Sequence, residues 1–212
     1  MSGHVQQWLT DGLIDAGILY DVNEVRHLRV TPLLVEDLYL IAARDRWPHA
    51  VDADGVSTVP VTLSECAQYD LILPHRSHGL RETVERFMEG RGVHINVVLE
   101  MDALTHMKAL VERGTGYSML APAAVAEEVK KGKLTLVPIG DARIQRTVYL
   151  VRNPLRVVPQ AALEIERLII ELVADLVHTG IWRSEPVNAR RQLPDASILV
   201  DAIALAKRTH PQ

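Results

Sequence analysis

With 212 residues, 48% of them hydrophobic and 24% charged, the chain can bury one large core or two small ones and has the balance of a soluble globular protein. A formal net charge of -4 supplies no basic face of the kind that holds nucleic acid nonspecifically, so the chain is not expected to bind DNA by itself. No apolar run approaches the roughly 18 residues that cross a bilayer, the first residues lack a secretory layout, and the single Cys66 cannot form an internal disulfide; a cytoplasmic protein is expected.

Residues 5–13 place Val5, Trp8, Leu9 and Leu13 on one helical face, with Ser2 available as N-cap, and residues 14–20 read as a strand. The run 28–43 (LRVTPLLVEDLYLIAA) reads as two β segments divided near Glu36 and Asp37, with Pro32 marking an edge or bulge. A polar loop, 45–62, leads to a short helix at 63–67. Then follows the most informative block, 69–122. An apolar run at 71–73 ends in the turn-forming sequence Pro-His-Arg-Ser-His-Gly, and the spacing of Leu80, Val84, Phe87 and Met88 is helical. A second strand (97–99), a helix carrying Leu104, Met107, Leu110 and Val111, and a third strand (117–121) complete β-α-β-α-β. Such alternation predicts an α/β fold with a mostly parallel sheet, in which ligands bind beyond the carboxyl ends of the strands.

After this block, residues 123–131 are expected to be helical, 134–139 and 147–151 to be strands, and 159–178 to be a long helix opening at Pro159. Its inward stripe would be Leu163, Ile165, Leu168, Ile169, Leu172, Val173 and Leu176. Residues 184–194 read as a linker. Residues 195–207 carry Ile198, Leu199, Ala202, Ile203 and Ala206 at the spacing of a short amphipathic helix, and 183–212 as a whole reads as a tail.

The loop 74–79 ends at a helix start, where unpaired N–H groups and the helix dipole favour an anion. Ser77 is the expected N-cap, and His75, Arg76, His78 and Arg81 supply hydrogen-bonding or charged groups; the plainer role is a capped helix with solvated basic residues. Thr115 offers a hydroxyl between two glycines, whose plainer role is a tight helix-to-strand turn. Glu100, Asp102 and Glu112 suggest paired carboxylates for acid-base work, but Asp102 sits where a helix N-cap is needed, and capping explains it at least as well. His75 and His78 at spacing three lack the carboxylates or cysteines of a metal site, Ser118 is not in a G-x-S-x-G elbow, and Gly90-Arg-Gly92 lacks the rest of a dinucleotide fingerprint. No metal, cofactor or catalytic constellation is expected.

Several of these segments resemble LysR-type transcriptional regulators. SGHVQQWLTDGLIDAGILYD is similar to the family's short helix leading to a strand near its ligand cleft. LRVTPLLVEDLYLIAARDRWP resembles the strand pair before its hinge, and LEMDALTHMKALVERGTGYSMLAPAAVAEEVKKGKLTLVPI its second subdomain, with a Val-x-x-Gly-x-Gly turn and a proline after the strand. PHRSHGLR is similar to sequences near the nitrogen assimilation control branch. The likeness covers about residues 1–182. It implies the type 2 periplasmic-binding-protein fold: two Rossmann-like α/β subdomains with a hinge, the first comprising 1–69 and 142–182, the second 70–141. An effector, expected to be a small anion, would lie in the cleft between them. The loop at Ser2 and the loop 74–81 would face each other across it, giving Ser2, His75, Arg76, Ser77, His78, Arg81 and Thr115 as candidate ligand residues.

The resemblance also implies an effector-sensing, non-enzymatic domain that controls transcription. DNA is contacted only through an N-terminal winged helix-turn-helix that this sequence lacks, together with a linker helix and a strand-helix-strand of the first subdomain. The chain is therefore expected to be an N-terminally truncated fragment with an incomplete first subdomain. Homo-oligomerisation is a family trait that such a truncation weakens, and the exposed edges are expected to bind 1-anilinonaphthalene-8-sulfonate (ANS) and to self-associate. The rivals are a free-standing solute-binding protein of the same fold and a small α/β enzyme using His75 or Glu100 as base.

Overall fold

The computed structural model describes residues 2–20 and 27–186. Helix α1 (Ser2–Asp11) begins earlier than the spacing suggests, so Ser2 is its first residue rather than its cap. It closes at Gly12, whose φ of 70° suits a residue without Cβ. Of the expected apolar face only Val5 and Leu9 are used in packing; Trp8 and Leu13 are 45% and 71% exposed.

Strand β1 (Ala16–Tyr20) is followed by β2 (Arg29–Ala43), a single strand of fifteen residues. The expected division near Glu36 and Asp37 does not occur. The strand β7 (Ile144–Arg152) runs antiparallel beside β2, and Arg146 on it and Arg143 just before it pair with Glu36 and Asp37, so the two carboxylates are accommodated along an unbroken ladder. The bulge expected at Pro32 is present as a register shift between Pro32 and Leu34, where proline has no N–H to donate.

The block 69–122 forms as read. Helix α2 (Leu63–Cys66) has a capping box from Thr62 and Glu65. Strands β3 (Asp70–Leu73) and β4 (Asn96–Glu100) are parallel, and Leu71 bridges Tyr117 in parallel just ahead of β5 (Ser118–Leu120). Between them lie α3 (Gly79–Glu89) and α4 (Leu104–Glu112), and α5 (Pro122–Lys130) follows. The expectation of a mostly parallel sheet fails outside this block. The long β2 runs antiparallel to β5, to β6 (Leu134–Val137) and to β7, because it carries the chain into this layer from the opposite direction.

Packing divides at β2. Its second half, from Leu38 on, joins Trp47, Val61, Leu63 and Cys66 to the core formed by β3 to β6 and α3 to α5. Residues 38–66, expected in the first subdomain, thus contribute to the same apolar cluster as residues 70–141. On the other side are two smaller clusters: Leu9, Leu19, Leu28 and Val151, and Leu34, Val148 and Val173.

Helix α6 (Gln160–His178) is present as expected, except that Pro159 stands at its cap and not in its first turn. Its inward stripe is narrower than expected. Ile169, Val173 and Val177 pack on Leu34 and Val148, while Ile165, Leu168 and Leu172 are 56%, 49% and 58% exposed. The helix is apolar over more of its circumference than one sheet face can cover. Beyond it, Trp182 N–H donates to Leu176 O, and β8 (Glu185–Pro186) pairs with Leu34 and Val35 of β2. Residues 183–186, assigned to a tail from sequence, are thus tied down: Arg183 pairs with Asp54 and Glu185 with Arg143. The rest of the expected linker and the helix 195–207 lie outside the described residues. Among the described residues no helix is long and apolar enough to cross a membrane, and no group of His, Cys, Asp or Glu is placed to hold a metal ion.

Candidate ligand-binding cleft

Three strands, β3, β4 and β5, end at Leu73, Glu100 and Leu120, and each hands over to a helix: α3, α4 and α5. Their amino-terminal turns line one cavity of about 380 Å³ through His78, Leu80, Asp102, Leu104, Ala123 and Ala124. Across it stand Tyr20 of β1, Glu36 of β2, Arg146 of β7 and Trp182 after α6. The cavity therefore lies where the larger core meets the smaller clusters, against the strands that join them.

The floor is a polar cluster. Glu36 is only 1% exposed. It accepts from Arg146 Nε at 2.5 Å and from Trp182 Nε1 at 3.2 Å, so both carboxylate oxygens are engaged. The Arg146 guanidinium lies 4.0 Å from the centroid of the Tyr20 ring, a cation–π arrangement. Burial pushes the Tyr20 phenol above its ordinary value, Arg146 opposes this, and Glu36 adds to it. Tyr20 is thus a neutral hydroxyl at physiological pH.

The opposite wall is made of helix starts. His78, not Ser77, caps α3: its Nδ1 accepts from Leu80 N–H at 3.2 Å. That bond leaves the proton of the neutral ring on Nε2. Burial is the main cause that lowers the His78 pKa; Asp102 works against it and Arg146, more weakly, adds to it, so the ring is neutral near pH 7. Asp102 is not the cap of α4. Its carboxylate accepts from His75 N–H at 2.9 Å, tying the β4 exit to the β3 exit. The cap positions of α4 and α5 are Ala103 and Ala121, which provide no side-chain acceptor. The amino-terminal turns of these two helices therefore present backbone N–H groups uncovered by a side chain, at the positive ends of their dipoles.

The candidates from sequence are only partly brought together. His78 lines the cavity. His75, Arg76 and Ser77 lie on the exposed loop beside it, with His75 Nδ1 3.2 Å from Ser77 Oγ and Nε2 3.9 Å from Glu100. Arg81 is 3% exposed and turned into the fold: it donates to Pro74 O at 3.2 Å, and its Nε and Nη1 lie 2.7 Å and 3.6 Å from Glu85 and Glu100. Its charge braces the loop from beneath. Thr115 precedes β5 at the end of the sheet away from the cavity, next to Gly116, which abuts the Asp70 carbonyl. Ser2 begins α1.

The family described as the LysR substrate binding domain matches residues 1–173. The chain belongs to that family. Among curated proteins, the nitrogen assimilation regulatory protein nac of Klebsiella aerogenes is 28% identical over 116 residues, which is 55% of this chain and 35% of nac. The transcriptional regulator BbuR of Bordetella bronchiseptica is 24% identical over 179 residues, 82% of this chain and 52% of BbuR. The chain thus spans about half or less of these relatives. Among solved structures, the CcmR regulatory domain of Synechocystis PCC6803 in complex with 2-PG has a TM-score of 0.70 at 19% identity, covering 82% of this chain and 80% of that one. The effector-binding domain of QuiR in complex with shikimate gives 0.68 at 16% identity, covering 82% and 78%. At such identities the likeness shows the fold: the periplasmic-binding-protein-like architecture expected from sequence.

Within this LysR substrate-binding domain, the residues that sequence reasoning missed are Tyr20, Glu36, Arg146 and Trp182. One signal was available for Glu36: a glutamate within the apolar run LRVTPLLVEDLYLIAA. It was taken as a break between strands, whereas a carboxylate inside a buried strand implies a paired partner. Nothing in the local pattern around Trp182 or Arg146 marks either as a cavity residue, since both reach it through long-range contacts. A smaller cavity of about 290 Å³ lies between α5 and residues 181–183, but its charged lining is limited to Lys130 and the Asp54–Arg183 pair.

Proposed function

We propose that this LysR substrate-binding domain is the effector-sensing part of a transcriptional regulator, and that its effector is a small anion held in the 380 Å³ cavity. The observation that carries the reading is the convergence of three helix amino termini, α4 and α5 without side-chain caps, on a cavity whose far wall holds Arg146 and neutral Tyr20. Backbone N–H groups at helix starts favour negative charge, and low exposure strengthens each contact. Because Arg146 is already paired with Glu36, the floor offers hydrogen bonds more than net charge. The apolar lining from Leu80, Leu104, Met107 and Leu120 suits the carbon skeleton of a small organic acid or phosphate ester. The CcmR and QuiR domains, of the same fold, are in complex with 2-PG and with shikimate.

Binding would favour one arrangement of the two sides of the cavity over another, and the differential affinity would bias the activity of an attached DNA-binding part. Location in the cytoplasm, the absence of catalysis, DNA contact through a separate domain and assembly with other copies belong to this reading. A solute-binding role for the same cleft would need only capture; sensing requires the two-state response.

The experiment is isothermal calorimetry with 2-PG, shikimate and simple carboxylates, on the parent chain and on Ala124→Glu. Glutamate in the first turn of α5 suits the helix dipole and puts a negative charge on the cavity wall; since Ala124 is half-buried against the core, an unchanged melting temperature of the variant is required alongside. Saturable binding to the parent that falls at least about tenfold, roughly 1.4 kcal/mol, in Ala124→Glu supports the reading. Equal affinity in both would place the ligand elsewhere.

A further inference from the structure

The charges that line the 380 Å³ cavity do not balance. At its floor Glu36 and Arg146 are matched, and both carboxylate oxygens of Glu36 are engaged, by Arg146 and by Trp182. Tyr20 and His78 are neutral at physiological pH. Among the described residues of the lining the remaining charged side chain is Asp102, at the exit of β4, so two carboxylates stand against one guanidinium. Asp102 Oδ1 accepts from His75 N–H at 2.9 Å, and a carboxylate has room for about four such bonds. It can therefore take a hydrogen bond from a ligand hydroxyl, whereas an anionic group beside it meets a like charge.

The three helix starts around the cavity differ in the same respect. Helix α3 is capped by His78 and carries Glu82 in its first turn, and Asp102 immediately precedes the Ala103 cap of α4. Helix α5 has neither a side-chain cap nor an acidic residue in its first turn, and Ala123 and Ala124 of that turn line the cavity. The lining thus has one place that favours a full negative charge, at α5, and a wall of hydrogen-bonding groups: the acceptor Asp102, the His78 Nε2–H and the Tyr20 hydroxyl. Leu80, Leu104, Met107 and Leu120 supply apolar contact for a carbon ring or chain. A second charge on the ligand would find its cation, Arg146, already matched by Glu36.

We propose, on the reading of this cavity as the effector site, that the effector is a hydroxylated monocarboxylate whose carboxylate lies at the first turn of α5 and whose hydroxyl donates to Asp102, and that Asp102 rejects dianions such as phosphate esters. Discrimination between ligands uses a repulsive element as well as an attractive one. Here both reside in one side chain. A hydroxyl satisfies an acceptor that would otherwise lose its water, and a phosphate meets its charge.

The test is calorimetry on the full chain at about pH 7.5 with three ring-sized probes: quinate, cyclohexanecarboxylate, which lacks the hydroxyls, and ribose 5-phosphate, whose phosphate is close to doubly charged at that pH. Quinate is expected to bind at least about tenfold more tightly than either of the others, a ranking on the parent chain that needs no variant. Asp102→Asn keeps an oxygen for His75 N–H and removes the charge. In it ribose 5-phosphate is expected to gain at least about tenfold relative to quinate. Ribose 5-phosphate or cyclohexanecarboxylate binding the parent as tightly as quinate, or a phosphate-to-quinate ratio unchanged in Asp102→Asn, overturns the proposal; if Ala124→Glu still weakens the probes, the cavity remains the effector site. Binding that is equal in the parent and Ala124→Glu, or no saturable binding of any probe, overturns both.

Discussion

The layer built on the second half of β2, with β3 to β6 and α3 to α5, buries most of its large apolar side chains, β4 and the start of α4 excepted, whereas α1, β1 and α6 leave many comparable residues in water. Leu40, Ile41, Leu71, Ile72, Met88 and Met107 are at most 1% exposed, while Trp8, Leu13, Ile18, Ile165, Leu168 and Leu172 range from 43% to 71%. The two regions have equally clear periodicity. The difference is the number of neighbours: in the first, helices and strands cover both faces of β3, β5 and β6 while only β4 lies open, and in the second, β1 is hydrogen-bonded to β7 alone among the described strands. Periodicity states which face seeks cover; only the assembled layers decide whether it finds it.

The largest effect that would break this comparison is at the centre of the larger core. Ile72→Ala is expected to cost about 2–5 kcal/mol, since its side chain is fully buried between strands, whereas Leu172→Ala on α6 should stay within about 0.5 kcal/mol. Urea unfolding of both variants measures this, and similar losses would mean that the α6 stripe is covered in solution. Next in size, Glu36→Gln keeps an acceptor for Trp182 but removes the charge that pairs with Arg146, at a cost of about 1.5–3 kcal/mol. A stability unchanged in that variant would mean that the pair is not maintained in solution.

His78→Ala should cost about 1 kcal/mol through loss of the α3 cap, and His78→Asn, which restores an acceptor, should recover most of it. The lowered pKa of His78 gives the sign of its pH effect. The unfolded state takes up the proton at higher pH than the folded state, so the contribution of neutral His78 is fully present above the ordinary histidine value. It is lost as pH falls below about 6.5 towards the lower folded value. The difference in melting temperature between parent and His78→Asn is therefore expected to shrink or reverse between pH 7 and pH 5. A difference constant over that range would show that the ring is not buried. The smallest effect is spectroscopic: Trp8, Leu13, Ile18 and the edge of β1 should bind ANS and favour self-association, and a Trp8→Ser/Leu13→Ser variant should reduce both. A sharply melting, monodisperse parent without dye binding would remove the contrast between the two regions.

Much of the fold could be read from the residues. The alternation of 69–122 is local, each strand and helix being announced by its own spacing and by the punctuation of Pro74, Gly79, Gly114 and Gly116. The direction of β2 was not legible, because nothing local tells a strand whether its neighbours run with it or against it. Its continuity through Glu36 and Asp37 depends on Arg146 and Arg143, more than a hundred residues away. For the cleft, the reading of helix starts as ligand-facing positions identified the loop 74–79 and His78. Arg81 turns inward because a cation near a helix start can equally meet carboxylates, which Glu85 and Glu100 provide. Thr115 lies away from the cavity because the turn before β5 opens at the opposite end of the sheet from the turn after it. Trp182 reaches the cavity through a helix terminus whose position no local pattern encodes.

The measurement that most directly tests ligand capture in this cavity is backbone and indole N–H chemical-shift mapping of the isotopically labelled chain during titration with 2-PG and with shikimate. The account predicts that at least one of them produces saturable shifts concentrated at the first turns of α3, α4 and α5, at Tyr20 and at the Trp182 indole, and that Ala124→Glu abolishes them. Saturable shifts centred elsewhere, or unchanged in Ala124→Glu, would contradict it.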